Sequence, residues 1–162
     1  MKLFRCSVLT PHRRLFSGEV GSLSFSTIDG KTQILADHEP IVAPVAVGIL
    51  TLDTAEGRKI AAVTEGFITV KPGGVELFVE AAEWPEDIDR ARAEGSLERA
   101  VSRLESETLA WSIARARAAA ERARNRLAVE AAANKAAVDD ADATSPAALA
   151  GARRRDSAEK KA

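Results

Sequence analysis

Six arginines in the C-terminal half fall into a pattern: Arg92, Arg99 and Arg103, then Arg115, Arg122 and Arg126. Arginine suits the gripping of phosphate, because its planar guanidinium donates two parallel hydrogen bonds to one anion. Arginines on a solvated helix ordinarily have a carboxylate three or four residues away. Arg99, Arg115 and Arg122 have none at those spacings, whereas Arg92 has Asp89, Arg103 has Glu107 and Arg126 has Glu130. Two readings are open for such a cluster. One is a face whose charges pair with another protein; the other is a seat for a phosphate-bearing ligand.

Other reactive side chains are sparse. There is no Gly-rich phosphate loop of the Walker type. His12 and His38 lack metal-ligand spacing, and neither stands in a base–nucleophile arrangement. No carboxylate pair stands out for acid–base work, so no catalytic or metal-binding residue is assigned. Cys6, the one cysteine, cannot form an internal disulfide; it fits a reducing compartment and is expected to fill a buried apolar position. Asp37, His38, Glu39 and Pro40 form an exposed loop and are candidate polar contacts for a partner. Trp84 and Trp111 are expected to pack rather than to anchor an interface.

Charge and length exclude further classes. A net charge of −1 over 162 residues argues against a general nucleic-acid binder. An RNA-binding arm built on the arginines is disfavoured by the scarcity of aromatics near them. No apolar run approaches the roughly 20 residues that span a bilayer. Met1 to Arg5 leads directly into strand-like alternation, without the apolar core of a signal peptide. Work at a membrane would therefore depend on another subunit.

The elements that must position these residues divide at Trp84-Pro85-Glu86. Eight of the ten glycines and five of the six prolines lie at or before Pro85. Both residues punctuate turns and are costly inside helices. The first half reads as about nine or ten short strands: Leu3 to Thr10, Leu15 to Val20, Ser22 to Thr27, Ile34-Leu35, Ile41 to Ala43, Ile49 to Asp53, Lys59 to Val63, Phe67 to Lys71 and Val75 to Ala81. Leu23, Phe25 and Thr27 alternate with Ser22, Ser24 and Ser26, the period of a half-buried strand. Asp29-Gly30 and Pro72-Gly73-Gly74 mark hairpins. This spacing predicts an all-β sandwich or barrel over residues 1–84.

Residues 85–135 read as a helical hairpin. Ala93, Leu97, Ala100 and Leu104 repeat at spacings of four, three and four. After a break at Ser106-Glu107-Thr108, Leu109, Ile113, Ala116, Ala120, Ala123 and Leu127 resume the pattern. Each set is a narrow seam of period about 3.5, the mark of paired helices. A short break favours an antiparallel pair, with Ala93 opposite Ala123, Leu97 opposite Ala120, Ala100 opposite Ala116 and Leu104 opposite Ile113. Each arginine of the cluster immediately precedes a seam residue, so all six share one edge. Alanine dominates the seam, and each absent leucine forgoes roughly 2 kcal/mol of burial. Such a hairpin is marginal and can be switched by a ligand or partner. Residues 136–162, with no apolar face, are expected to be a disordered polar tail.

The ordered landmarks resemble the epsilon subunit of the rotary F-type ATP synthase. They are Phe16-Ser17-Gly18-Glu19-Val20, Asp29-Gly30 with Ile34-Leu35 and His38-Glu39-Pro40, Val47-Gly48-Ile49-Leu50, Glu65-Gly66-Phe67-Ile68-Thr69-Val70, and Ala81-Ala82-Glu83 followed by Asp87-Ile88-Asp89. The similarity runs in order over roughly residues 3–130. Glu65 departs from it, standing where a second glycine is common.

The resemblance implies a β-sandwich followed by a helical hairpin, in a noncatalytic subunit of the central stalk. The implied partners are the gamma subunit, the c-ring and the alpha/beta catalytic head, in a hetero-oligomer without nucleic acid. The implied place is the cytoplasmic face of the bacterial plasma membrane, peripheral and reached only through the complex. The arm can lie folded on the sandwich, or extend into the head and block ATP hydrolysis. No cofactor is required, but ATP is implied as a regulatory ligand. Ile88, Asp89, Arg92 and Ala93 satisfy the nucleotide-binding motif of some bacterial members, and Arg99, Arg122 and Arg126 stand where the further arginines fall. A free-standing ATP-sensing module is the alternative.

Overall fold

In a computed structural model, residues 2–143 are described. Ten strands form two five-stranded sheets. They are β1 (Phe4–Leu9), β2 (Arg14–Val20), β3 (Ser22–Thr27), β4 (Gly30–Leu35), β5 (Ile41–Val45), β6 (Gly48–Thr54), β7 (Gly57–Val63), β8 (Gly66–Lys71), β9 (Gly74–Val79) and β10 (Ala82–Glu83). One sheet has the order β2-β1-β9-β8-β5 and the other β10-β7-β6-β3-β4. Pairing is antiparallel except between β1 and β9. Alternate side chains turn inward, and Val8, Leu23, Phe25, Leu50, Ile68 and Leu77 fill the space between the sheets. Cys6 is fully buried there, as its sequence context predicts, and burial pushes its thiol up to about 12. Gly30 and Gly73 take the positive φ that the two predicted hairpins require. Gly66 has a different reason: a Cβ there would stand 1.9 Å from the Phe78 carbonyl oxygen. The corner between β7 and β8 is therefore closely packed.

A 3-10 turn at Pro85–Asp87 leads into two helices, α1 (Arg90–Ser106) and α2 (Ala110–Ala143). Their three-residue connection makes them antiparallel. The Arg90 Nη1 to Glu130 Oε2 pair, at 3.0 Å, joins the start of α1 to α2. The seam alanines Ala93, Ala100, Ala116, Ala120 and Ala123 are all buried, at 1–4 % exposure. Leu109 is an exception, 53 % exposed, because it precedes the first residue of α2. Trp111 does not pack as expected either. It lies in the first turn of α2 at 61 % exposure, with the Arg115 guanidinium 6.0 Å over its ring. Trp84 does pack, against the sandwich core.

The expected limit at 135 also needs correction. Helix α2 runs through Ala143, well into the segment read as a polar tail. Loss of an apolar face removes a packing partner, not the helix propensity of an alanine-rich run that meets no proline before Pro146. The expectation of disorder over 144–162 lies outside the described residues. Of the described residues, those up to Glu130 form one compact unit, and those from Ala131 on belong to a second.

Candidate functional site

The arm sits on the sandwich through one stripe of α2. Arg122, Asn125, Arg126 and Val129 recur at spacings that place them on one helical face. Val129 is fully buried. Asn125 Nδ2 donates to the Gly48 carbonyl at 2.9 Å and to the Val63 carbonyl at 3.1 Å. Gly48 and Val63 face each other where β6 pairs with β7. One side-chain amide thus occupies two acceptors at the mouth of a strand ladder.

Two ion pairs flank this contact. Arg126 grips both oxygens of Glu83, Nε to Oε2 at 2.5 Å and Nη2 to Oε1 at 3.3 Å. Glu83 is held in place by β10, whose Ala82 and Glu83 pair with Val63 and Ala62. Arg122 Nη1 lies 3.8 Å from Glu65 Oε1. The Glu65 backbone is fixed from both sides: its carbonyl accepts from Glu80 N, and Thr64 exchanges hydrogen bonds with Ala81. Arg122, which lacks a helical carboxylate partner in the sequence, therefore meets a sandwich carboxylate instead. Arg126 engages Glu83, while Glu130, the acid at helical spacing from it, reaches Arg90.

A cleft of about 210 Å³ opens beside these pairs, lined by Glu83, Asp87, Asp89, Arg92, Ala93, Ser96 and Arg126. Four of the residues assigned from sequence to a nucleotide, Asp89, Arg92, Ala93 and Arg126, thus converge. Asp89 caps α1, its Oδ1 accepting from Arg92 N at 2.9 Å. Ile88 is half-buried at the end of the 3-10 turn. Arg99 stands outside the lining and folds back onto Ser96 Oγ at 3.0 Å. Arg122 lines a neighbouring crevice with Thr64, Glu83 and Asn125. Asp87 takes Arg13 at 3.0 Å, and among the described residues the Arg92 guanidinium forms no ion pair. The cleft accordingly offers one uncommitted guanidinium, one committed to Glu83, and carboxylates that can accept from amino groups.

The loop assigned to a partner is exposed, from Asp37 through Pro40. Asp37 adopts a positive φ of 64° and holds Lys2 Nζ with both oxygens, at 2.8 and 2.6 Å. His38 Nδ1 is 2.8 Å from the Glu39 carbonyl oxygen. Sequence reasoning missed a different surface. On the outer face of the β1-containing sheet, Phe67 stacks on Phe78 with ring centroids 5.0 Å apart. Phe67 is 48 % exposed and Val42, on neighbouring β5, 68 %. Outward alternation of Val42 and Pro44 on β5 with Phe67 on β8 was the available signal. It also missed Asn125, Glu65 and Glu83 as docking residues.

Comparison with known proteins places these features in a family. Residues 3–85 match the model of the ATP synthase, Delta/Epsilon chain, beta-sandwich domain. The chain is 40 % identical over 124 residues to the ATP synthase epsilon chain of Ruminiclostridium cellulolyticum, covering 76 % of this chain and 92 % of that one. It is 38 % identical over 123 residues to the ATP synthase epsilon chain of Caldanaerobacter subterraneus, covering 75 % and 89 %. Among solved structures, a chain of the Euglena gracilis mitochondrial ATP synthase, described as OSCP/F1/c-ring, superposes with a TM-score of 0.69 at 24 % identity, covering 78 % and 80 %. A chain of the Tetrahymena thermophila mitochondrial ATP synthase central stalk/c-ring gives 0.56 at 11 % identity, covering 80 % and 97 %. Those two likenesses concern the fold.

Proposed function

This chain belongs to the ATP synthase epsilon chain family, and from that membership we propose that it is a noncatalytic rotor subunit whose helical arm restrains ATP hydrolysis. The sandwich would bind the gamma subunit and the c-ring, as the F1/c-ring and central-stalk settings of the two similar structures suggest. Exposed Val42 and Phe67, with half-buried Phe78 stacked on Phe67, supply apolar area for one lasting contact, and the Asp37–Pro40 loop supplies polar groups for another. No helix among the described residues is long and apolar enough to cross a bilayer, so attachment to the cytoplasmic face of a membrane would run through the complex.

The observation that carries the regulatory reading is the way the arm is held. A seam of buried alanines joins the helices, and a few polar contacts around Asn125 join them to the sandwich. Neither buries the apolar area that would make the docked position permanent. ATP in the cleft at Arg92 would favour that position through its differential affinity. The gain is about 0.4 kcal/mol at a concentration equal to Kd and about 2.7 kcal/mol at a hundredfold excess. Removing residues 86–162 from the chain in its assembled complex should raise ATP hydrolysis while the complex still forms. Unchanged hydrolysis would reject the inhibitory role. Failure of the intact chain to co-purify with a gamma subunit would reject the stalk assignment and favour a free-standing ATP-sensing module.

A further inference from the structure

We propose that Glu65 is a built-in anion, holding Arg122 in the docked arm where a phosphate-bearing ligand would otherwise be required. Arg122 has no carboxylate three or four residues away on α2, and Glu65 Oε1 is the acidic oxygen that approaches it, at 3.8 Å. The other carboxylate oxygen, Oε2, is buried and finds no hydrogen-bond partner among the described residues. A carboxylate with one oxygen in that state gains more from a nearby guanidinium than a fully solvated one.

The backbone at Glu65 is held by hydrogen bonds. Its carbonyl accepts from Glu80 N at 3.1 Å, and Thr64 Oγ1 accepts from Ala81 N at 2.9 Å just before it. Gly66 follows, where backbone atoms leave no room even for a Cβ. The side chain, 47 % exposed, therefore projects from a closely packed corner toward a helix pinned in register by Asn125. With Glu83 on Arg126, both α2 arginines assigned to a phosphate are already engaged by sandwich carboxylates. The docked arm is thus self-liganded, and a polyphosphate must displace Glu65 to reach Arg122. That competition rests on the nucleotide reading of the cleft; the hold on the arm does not.

Hydrogen exchange on the full-length chain tests it, comparing wild type with Glu65→Gln and, from the arm side, Arg122→Gln. Without ligand, amides of α2 around Asn125 should exchange about two- to fivefold faster in either variant, the range expected of a partly exposed ion pair. Amides of β8 serve as the control for an intact sandwich. The double variant should be no faster than the singles. Calorimetry with ATP and with inorganic tripolyphosphate supplies the second readout, with Glu65→Gln binding more tightly than wild type. Faster exchange with no heat from either probe supports the built-in hold and removes the nucleotide site. Unchanged arm exchange in both single variants overturns the proposal.

Discussion

Asn125 donates from one nitrogen to two backbone carbonyls, and no alanine can replace that. Asn125→Ala leaves the Gly48 and Val63 acceptors without their donor, at a cost of about 1–2 kcal/mol to docking. Exchange of α2 amides should accelerate while sandwich amides keep their protection; equal protection throughout would show that the amide is dispensable. Asp53 makes a separate prediction. It accepts from Arg58 Nε at 2.8 Å and from Ser22 Oγ at 2.6 Å. Those hydrogen bonds, Arg58 first, hold its carboxyl below the usual range. A depressed folded pKa stabilises above the unfolded value, about 3.9, and that stabilisation is lost as pH falls through the folded value. Asp53→Asn should therefore show a shallower loss of stability below about pH 4 in acid titrations monitored by circular dichroism. Neither partner of Asp53 nor the role of Asn125 was legible in the chain. Local spacing pairs Arg126 with Glu130, but the structure pairs it with Glu83, 43 residues earlier. Only the fold brings such groups together, and a lone asparagine in an Ala/Arg run gives no signal beyond its poor helix propensity.

At the scale of elements the sequence is far more informative, because periodicity reports burial directly. Strand alternation and Gly turns place all of β1 through β9 to within a few residues. The alanine seam is equally legible, since all five alanines at its paired positions are buried. What periodicity cannot show is a second stripe made of mixed residue types. Arg122, Asn125, Arg126 and Val129 share no hydropathy, so the face that meets the sandwich was hidden. Nor does fading periodicity end a helix, as α2 continuing to Ala143 demonstrates. Gly95 lies inside α1, and a Cβ there would meet only the flexible Arg99 Nη1, at 3.2 Å. Gly95→Ala should stabilise α1 by roughly 1 kcal/mol. Slower exchange of α1 amides would register it, and no change would mean that the helix is limited elsewhere.

For the whole molecule, the sandwich and the arm differ in what holds them. The sandwich has an apolar core between two sheets, and the arm has an alanine seam and a polar clasp. A rigid body with a weakly held appendage is suited to two states of small free-energy difference. The most direct measurement is the distance between spin labels at Glu56→Cys and Arg117→Cys. Both positions are exposed, and native Cys6 is too buried to take a label. The isolated chain should give one distance. The assembled complex, held under conditions that suppress hydrolysis, should add a distinctly longer one. That single distance, unchanged in every state of the complex, would contradict an arm that moves.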